Sequence, residues 1–164
     1  MSVTLPDKAA VLSEKSDHPA IAALLRWKPD VLLDARWDRD EMTLTLARED
    51  LVSAALCLRE AGYNFLEDVT AVDWLPASPR FQVSYHLLSH TLRQRLRLRV
   101  LLDETYPSVQ TITSVWPSAN YYEREVFDLF GIRFDEHPNL RRIMMPEEWS
   151  GYPLRKDYPV EGYR

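Results

Sequence analysis

The densest group of side chains that could do chemistry lies between residues 123 and 137. It contains carboxylates and one imidazole, a combination that can bind a metal ion or act as a general base: Glu123, Glu125, Asp128, Asp135, Glu136 and His137. Zinc-type sites require several ligands at a recognisable spacing. The remaining histidines and the single cysteine are remote in sequence: His18, His86, His90 and Cys57. The pattern therefore favours a salt-bridge network, with His137 as a structural hydrogen-bonding residue.

The sequence also lacks the glycine-dependent signatures of catalytic and nucleotide-binding sites. It has no phosphate-binding loop, no GxGxxG and no GxSxG, and its four glycines are scattered. From the residues alone we expect no catalytic, cofactor-binding or metal-binding residue in this chain.

Length and composition describe one soluble domain. The chain has 164 residues and a net charge of −5, so it offers no basic surface for nucleic acid. Its single cysteine excludes an intrachain disulfide and is consistent with a reducing compartment. No signal peptide and no run of about 20 apolar residues is present, so we expect a cytoplasmic protein whose attachment to a membrane is peripheral.

The order of predicted elements indicates an α+β fold. After a polar lead-in over residues 1–15, we predict a helix over 17–27, a hairpin of 31–37 and 41–47, and a helix over 48–62. Three strands follow, beginning near residues 65, 81 and 91. A mainly antiparallel sheet with helices on one face accommodates this order.

The last of these strands has alternating arginines. In "LRQRLRLRV" the alternation predicts one arginine face and one apolar face: Arg93, Arg95, Arg97 and Arg99 against Leu96, Leu98 and Val100. The arginines are interpreted either as a solvated sheet face or as a surface for an acidic partner, and the pattern leaves both open.

Beyond residue 105 the regular patterns end. We predict helices near 109–115 and 118–130, with Ser118 as a cap of the second and Arg124 able to pair with Asp128. Residues 131–164 have prolines and no period, yet they are rich in apolar and aromatic residues. The chain is thus divided into a core domain, 1–130, and an extended tail, 131–164, that docks on partner proteins and is ordered mainly by them.

The region from residue 123 onward resembles a known family. "EREVFDLFGIRFDEHPNLRRIMMPEEWSGYPLRKDYP" is similar to the signature region of the 30-kilodalton subunit family of the proton-pumping NADH-quinone oxidoreductase, respiratory complex I. The matching elements are Glu123-Arg124-Glu125, Asp128, Gly131-Ile132, His137-Pro138, Leu140 to Ile143 and Gly151 to Pro159.

The resemblance implies a structural role. Family members bind no flavin, iron–sulfur cluster or metal; those groups belong to partner subunits. The implied partners are other peripheral-arm subunits, chiefly the one that forms the quinone cavity, and neighbouring iron–sulfur subunits. The implied location is the cytoplasmic side of the inner cell membrane, reached only through the complex, which transfers electrons from NADH to quinone and translocates protons.

Ten charged residues fall in the resembling segment, and we assign them to partner docking and local ion pairs: Glu123, Arg124, Glu125, Asp128, His137, Arg141, Arg142, Arg155, Lys156 and Asp157. Two alternatives stay open at this point. One is the equivalent subunit of a ferredoxin- or deazaflavin-dependent relative or of a membrane-bound hydrogenase. The other is a free-standing enzyme that uses the acidic cluster around His137.

Overall fold

The computed structural model describes residues 8–162, and helices and strands make up most of the chain up to residue 135. The helices are α1 (Lys8–Glu14), α2 (Pro19–Trp27), α3 (Leu51–Glu60), preceded by a 3-10 turn at Arg48–Asp50, and α4 (Ala119–Phe130). The strands are β1 (Leu32–Asp38), β2 (Glu41–Leu46), β3 (Phe65–Asp73), β4 (Phe81–Ser89), β5 (Gln94–Leu102), β6 (Ser108–Gln110) and β7 (Arg133–Asp135).

Five of the strands form one sheet in the order β1-β2-β5-β4-β3. Neighbouring strands in this sheet are antiparallel, except that β2 and β5 run parallel. A second, two-stranded sheet pairs β6 with β7 in parallel. The predicted α+β fold with a largely antiparallel sheet is confirmed.

The hairpin of β1 and β2 turns through two residues with left-handed backbone conformations. Arg39 has φ 50° and Asp40 has φ 61°. Two successive positive φ values match the right-handed twist of the strands that such a turn connects. The predicted hairpin therefore has its turn at the expected place.

One face of the sheet forms the hydrophobic core with the helices. Leu96, Leu98 and Val100 of β5 are buried, as their alternation predicts. The helices bury the apolar side chains that face this layer, among them Ile21 and Leu24 of α2, Leu51 and Leu58 of α3, and Val126 of α4. The α3 helix is tied to its surroundings on both sides, since the Cys57 thiol contacts the Ala23 carbonyl and Arg59 donates to the Val115 carbonyl.

The opposite face carries the arginines of β5, and acidic residues of three other strands of the sheet pair with them. Arg97 Nη2 lies 3.0 Å from Glu41 Oε2 and Arg99 Nη2 lies 3.0 Å from Asp34 Oδ2. Arg95 Nε lies 3.3 Å from Glu67 Oε2. Arg93 does not belong to this face, because it lies in the β4–β5 turn with φ 53°. The solvated-face interpretation accounts for these charges without an acidic partner.

Two local predictions are wrong. Residues 8–14 are helical rather than a polar lead-in, because "KAAVLSE" consists largely of good helix formers and buries Val11. Residues 1–7 lie outside the described residues. The segment predicted as a helix near 109–115 instead contains β6, and its β-branched residues Val109, Thr111 and Ile112 favour extended backbone.

The start of α4 also differs from the prediction. Ser118 already has helical dihedral angles and makes no side-chain capping bond. Backbone N–H groups at this end bond backward instead, from Ala119 to the Trp116 carbonyl and from Asn120 to the Pro117 carbonyl. In the described part of the chain, every helix is too short or too polar to cross a bilayer.

Candidate partner-docking site

The ten residues assigned above to docking and ion pairs, here called the signature charges, lie on α4 and on the C-terminal segment. This segment is the irregular stretch of residues 136–162 that follows β7 and packs back against α4. Glu123, Arg124 and Asp128 are buried on α4, whereas Glu125 is exposed. Asp128 is the central residue. Its Oδ2 accepts the backbone N–H groups of three consecutive residues, Ile143 at 2.9 Å, Met144 at 2.7 Å and Met145 at 2.8 Å.

Arg142 completes the environment of Asp128. Its Nη1 donates to Asp128 Oδ1 at 2.5 Å, and its Nη2 donates to the carbonyls of Trp149 and Gly151, both at 3.0 Å. Burial alone would raise the pKa of Asp128, but the Met145 N–H and the Arg142 guanidinium hold that pKa below its usual value. Asp128 is therefore a buried carboxylate that fixes the chain direction from residue 142 to residue 151.

Arg124 supports the same segment without pairing with Asp128. Its Nε and Nη2 donate to the carbonyls of Arg141 at 3.2 Å and Arg142 at 3.1 Å. The predicted Arg124–Asp128 pair is absent among the ion pairs of residues 8–162. The reason is competition: Arg142 and three backbone N–H groups already occupy the carboxylate of Asp128, so Arg124 donates to backbone carbonyls.

Glu123 and His137 form a separate buried cluster on the other side of α4. Glu123 Oε1 accepts the Ile112 N–H at 2.9 Å, and its Oε2 contacts the Thr111 hydroxyl. His137 Nδ1 accepts the Asn139 N–H at 3.0 Å, so Nε2 carries the proton and donates to the Asn120 carbonyl at 3.1 Å. His137 thus has the structural hydrogen-bonding role that the sequence favoured.

Burial determines the ionisation of this cluster. It raises the pKa of Glu123 to about 7, against the downward effect of the Ile112 and Thr111 hydrogen bonds. It lowers the pKa of His137. His137 Nε2 lies 3.8 Å from Glu123 Oε2, and both side chains are fully buried.

A second charged cluster, which the sequence reasoning missed, holds the end of the segment against the sheet. Arg80 donates to Asp73 Oδ1 at 3.0 Å and Oδ2 at 2.8 Å, to Asp157 Oδ1 at 2.7 Å, and to Glu104. Asp73 Oδ2 also accepts the Lys156 N–H at 2.9 Å. Asp73 follows the inward positions Val69 and Ala71, so a charge on the apolar side of a predicted strand was the available signal.

The electrostatics of this cluster favour the ionised forms. Burial would raise the pKa of Asp73, but the hydrogen bonds from Arg80, Lys156 and Leu75 lower it to about 2. Hydrogen bonds to Asp73 and Asp157 raise the pKa of Arg80. The buried guanidinium of Arg80 therefore binds Asp157 while it stays paired with the ionised carboxylate of Asp73.

Gly131 lets the segment approach α4 closely. It ends the helix with φ 71°, and its N–H bonds to the Phe127 carbonyl. A Cβ at this position would lie 2.5 Å from the Tyr152 ring and 2.7 Å from Arg155 Nη2. Arg155 donates to the Phe130 carbonyl at 2.6 Å and lies over the rings of Phe81 and Tyr152.

The structure thus divides the ten predicted residues into two groups. Seven make hydrogen bonds or ion pairs through their side chains inside this chain: Glu123, Arg124, Asp128, His137, Arg142, Arg155 and Asp157. The side chains of Glu125, Arg141 and Lys156 are exposed and unpaired within residues 8–162. Within the same residues, no group of three His, Cys, Asp or Glu could hold a metal ion.

Fold and site together define a single α+β domain whose signature charges hold an irregular C-terminal segment against one helix and the edge of a sheet. A family model described as "Respiratory-chain NADH dehydrogenase, 30 Kd subunit" matches residues 44–164, which include the clusters around Asp128, Glu123 and Arg80. The chain belongs to this family, and the resemblance found in its sequence is confirmed.

Individual relatives agree with this membership. An NADH-quinone oxidoreductase subunit of Citrifermentans bemidjiense is 46% identical over 147 residues, which cover 89% of this chain and 91% of the relative. The protein of the same name from Geobacter sulfurreducens is 49% identical over 133 residues, covering 80% and 82%.

Two solved structures share the fold. A trypsin-resistant fragment of Nqo5 superimposes with a TM-score of 0.58 at 38% identity, covering 61% of this chain and 83% of the fragment. A chain of the membrane-bound sulfane sulfur reductase, an archaeal respiratory membrane complex, gives a TM-score of 0.75 and covers 88% and 86%. Its identity is 22%, so that likeness concerns the fold alone.

The role of Asp128 leads to a stability prediction. Asp128→Asn keeps the shape but removes the charge that binds Arg142 and weakens the acceptor for three N–H groups. We expect the free energy of unfolding of the isolated chain to fall by about 2–4 kcal/mol. Urea denaturation measures this, with Glu125→Gln on the exposed side of the same helix as the control. Equal midpoints for the two variants would contradict the role of Asp128.

The close approach at Gly131 leads to a second prediction. Gly131→Ala should displace Tyr152 and Arg155, so trypsin should cleave after Arg155 and Lys156 faster in the isolated variant. Gly62→Ala is the control, because Gly62 also has a positive φ, 104°, but its added Cβ would meet only ordinary contacts at 3.6 Å or more. If both variants are cleaved at the wild-type rate, Gly131 does not hold the segment.

The raised pKa of Glu123 predicts a pH dependence. Its folded pKa of about 7 lies above the ordinary value of 4.5, so ionisation opposes folding. The stability of the wild type relative to Glu123→Gln should fall as pH rises from about 4.5 to 7 and then level off. Denaturation of both proteins across this range tests it, and the comparison cancels all other titrating groups. A constant difference would show that Glu123 does not titrate in this window.

Proposed function

We propose that this chain is a structural subunit of the peripheral arm of a proton-translocating NADH-quinone oxidoreductase. In this role it binds no flavin, iron–sulfur cluster or metal and has no catalytic residue. It supports the subunit that forms the quinone cavity, together with neighbouring iron–sulfur subunits. The complex holds it on the cytoplasmic side of the inner cell membrane.

The division of the signature charges carries this proposal. Seven of them are used internally, and six of these, all except Glu123, fix the C-terminal segment. This leaves the exposed side chains of Glu125 on α4 and of Arg141 and Lys156 on a segment that is already positioned. A segment fixed in this way loses little further conformational entropy on binding. The large exposed apolar residues along it supply contact area: Ile143, Met144, Trp149 and Leu154.

Family membership supports the identity of the assembly. The relatives described above are named as NADH-quinone oxidoreductase subunits, and they align with this chain over most of their own length. That name supports NADH as the electron donor of the complex.

Arg141→Glu tests the role directly. The side chain makes no bond within the described chain, so the melting temperature of the isolated variant should match that of the wild type. Losing one member of an interfacial charge pair costs about 2–5 kcal/mol. We therefore expect at least about a tenfold loss of assembled complex, with a parallel loss of quinone reductase activity.

Arg26→Glu, at an exposed position of α2, is the matched control because it makes the same charge change outside the signature segment. Native gel electrophoresis with activity staining measures both quantities in cells that carry only the variant. Full assembly with lost turnover would indicate a catalytic role and contradict the proposal. Normal assembly and normal activity would remove Arg141 from the interface.

A further inference from the structure

The face of the large sheet opposite the core has no described helix packed over it. Outward-pointing residues alternate along its strands with those of the core, and several of them are partly exposed: Thr43 on β2, Gln82 and His86 on β4, and Arg97 on β5. We call this surface the open face.

The charges of the open face nearly balance one another. It carries four arginines, Arg36, Arg95, Arg97 and Arg99, and five carboxylates, Asp34, Asp38, Glu41, Glu67 and Asp68, so its formal sum is only −1. The ion pairs run along β1, between adjacent strands, or from β5 across one intervening strand to β1 and β3, at 2.9 to 3.3 Å, apart from the contact of His86 with Asp68 at 3.8 Å. A strongly charged partner would therefore meet little net charge of opposite sign.

An apolar band crosses one end of the open face. The register of β1 shifts between Leu32 and Asp34, and this bulge leaves Leu33 59% exposed. Leu33 and Leu101 line one shallow groove with Ala47. On the other side of Leu101 its cross-strand partner Gln82 accepts the indole N–H of Trp74 at 3.3 Å. Trp74 is 51% and Leu101 38% exposed. We call Leu33, Leu101 and Trp74 the open-face band.

The open-face band adjoins the anchor of the C-terminal segment. Trp74 directly follows Asp73, whose carboxylate accepts the Lys156 N–H. Leu101 lies three residues before Glu104, which shares Arg80 with Asp157. The band and the anchor of the segment therefore lie at the same end of the five-stranded sheet.

We propose that the open-face band is a second docking surface, occupied by an uncharged, apolar surface of a neighbouring subunit of the same complex. This inference rests on the proposed function. The nearly balanced charge of the face favours an uncharged occupant, and the exposed tryptophan and leucines supply the apolar contact that such interfaces concentrate at their centres. A second copy fits less well, because each chain carries a net charge of −5.

The test replaces the apolar contact without changing the charge of the face. The double variant is Leu33→Arg with Leu101→Glu, whose two new side chains line one groove and can pair with each other. The new arginine is next to Asp34 in sequence, and the new glutamate is two residues from Arg99 on the same strand. The control is Leu56→Arg and Leu92→Glu, since these leucines are 39% and 37% exposed away from the band. Leu33→Gln with Leu101→Gln is a milder second variant.

Each variant is expressed in cells lacking the wild-type chain, and its incorporation into the complex is compared with its melting temperature in isolation. We expect the two band variants to melt within a few degrees of the wild type and to incorporate at least about tenfold less, with the control within twofold.

Wild-type incorporation of both band variants, with Arg141→Glu still defective, would overturn the open-face band and leave the proposed function standing. A tagged wild-type chain that copurifies with no other subunit would overturn the proposed function itself. If light scattering finds a wild-type dimer that the band variants convert to monomer, the occupant is a second copy and the inference is wrong.

Discussion

The buried carboxylate of Asp128 determines the path of the chain after α4. Three consecutive backbone N–H groups converge on one of its oxygens, and Arg142 binds the other. Without this acceptor, the three N–H groups and the guanidinium would lose their hydrogen-bond partner. Unsatisfied donors of this kind cost free energy of folding, and an aperiodic segment has few local contacts to offset it. The path of the chain from residue 142 to residue 151 depends on this interaction.

A second anchor keeps the end of the segment on the sheet. Arg80 and Asp73 flank the β3–β4 connection, and they bind the side chain of Asp157 and the N–H of Lys156. The two anchors lie on different elements, α4 and the end of the five-stranded sheet. Together they make the C-terminal segment part of the domain surface, so a partner protein meets a largely preformed shape.

Regular periodicity made the core predictable. The alternation in β5 indicated its buried and exposed sides, and the turn after Asp38 indicated the hairpin. The residues from 109 to 115 are predicted to be a helix, although a parallel partner at Arg133–Asp135 makes part of them a strand. That partner lies beyond α4, and no local pattern shows it.

The candidate site was predictable only as a set of residues. The signature segment contains Asp128 and Arg142, but side-chain bonds to backbone groups have no sequence period, so the pairing of Asp128 with residues 143–145 could not be read from the sequence. The same holds for Arg80 and Asp157, 77 residues apart. The division into a core over 1–130 and a partner-ordered tail over 131–164 remains a prediction, although residues 141–158 make many bonds to their own domain.

Hydrogen exchange of the isolated chain tests the central claim, that the domain itself positions its C-terminal segment before any partner binds. The amides of Ile143, Met144, Met145 and Lys156 all donate to buried carboxylates. We expect these amides to be protected in the free chain nearly as well as in the assembled complex, and Asp128→Asn to abolish the protection of the first three. Rapid exchange of all four in the free wild-type chain, with protection only after assembly, would contradict it.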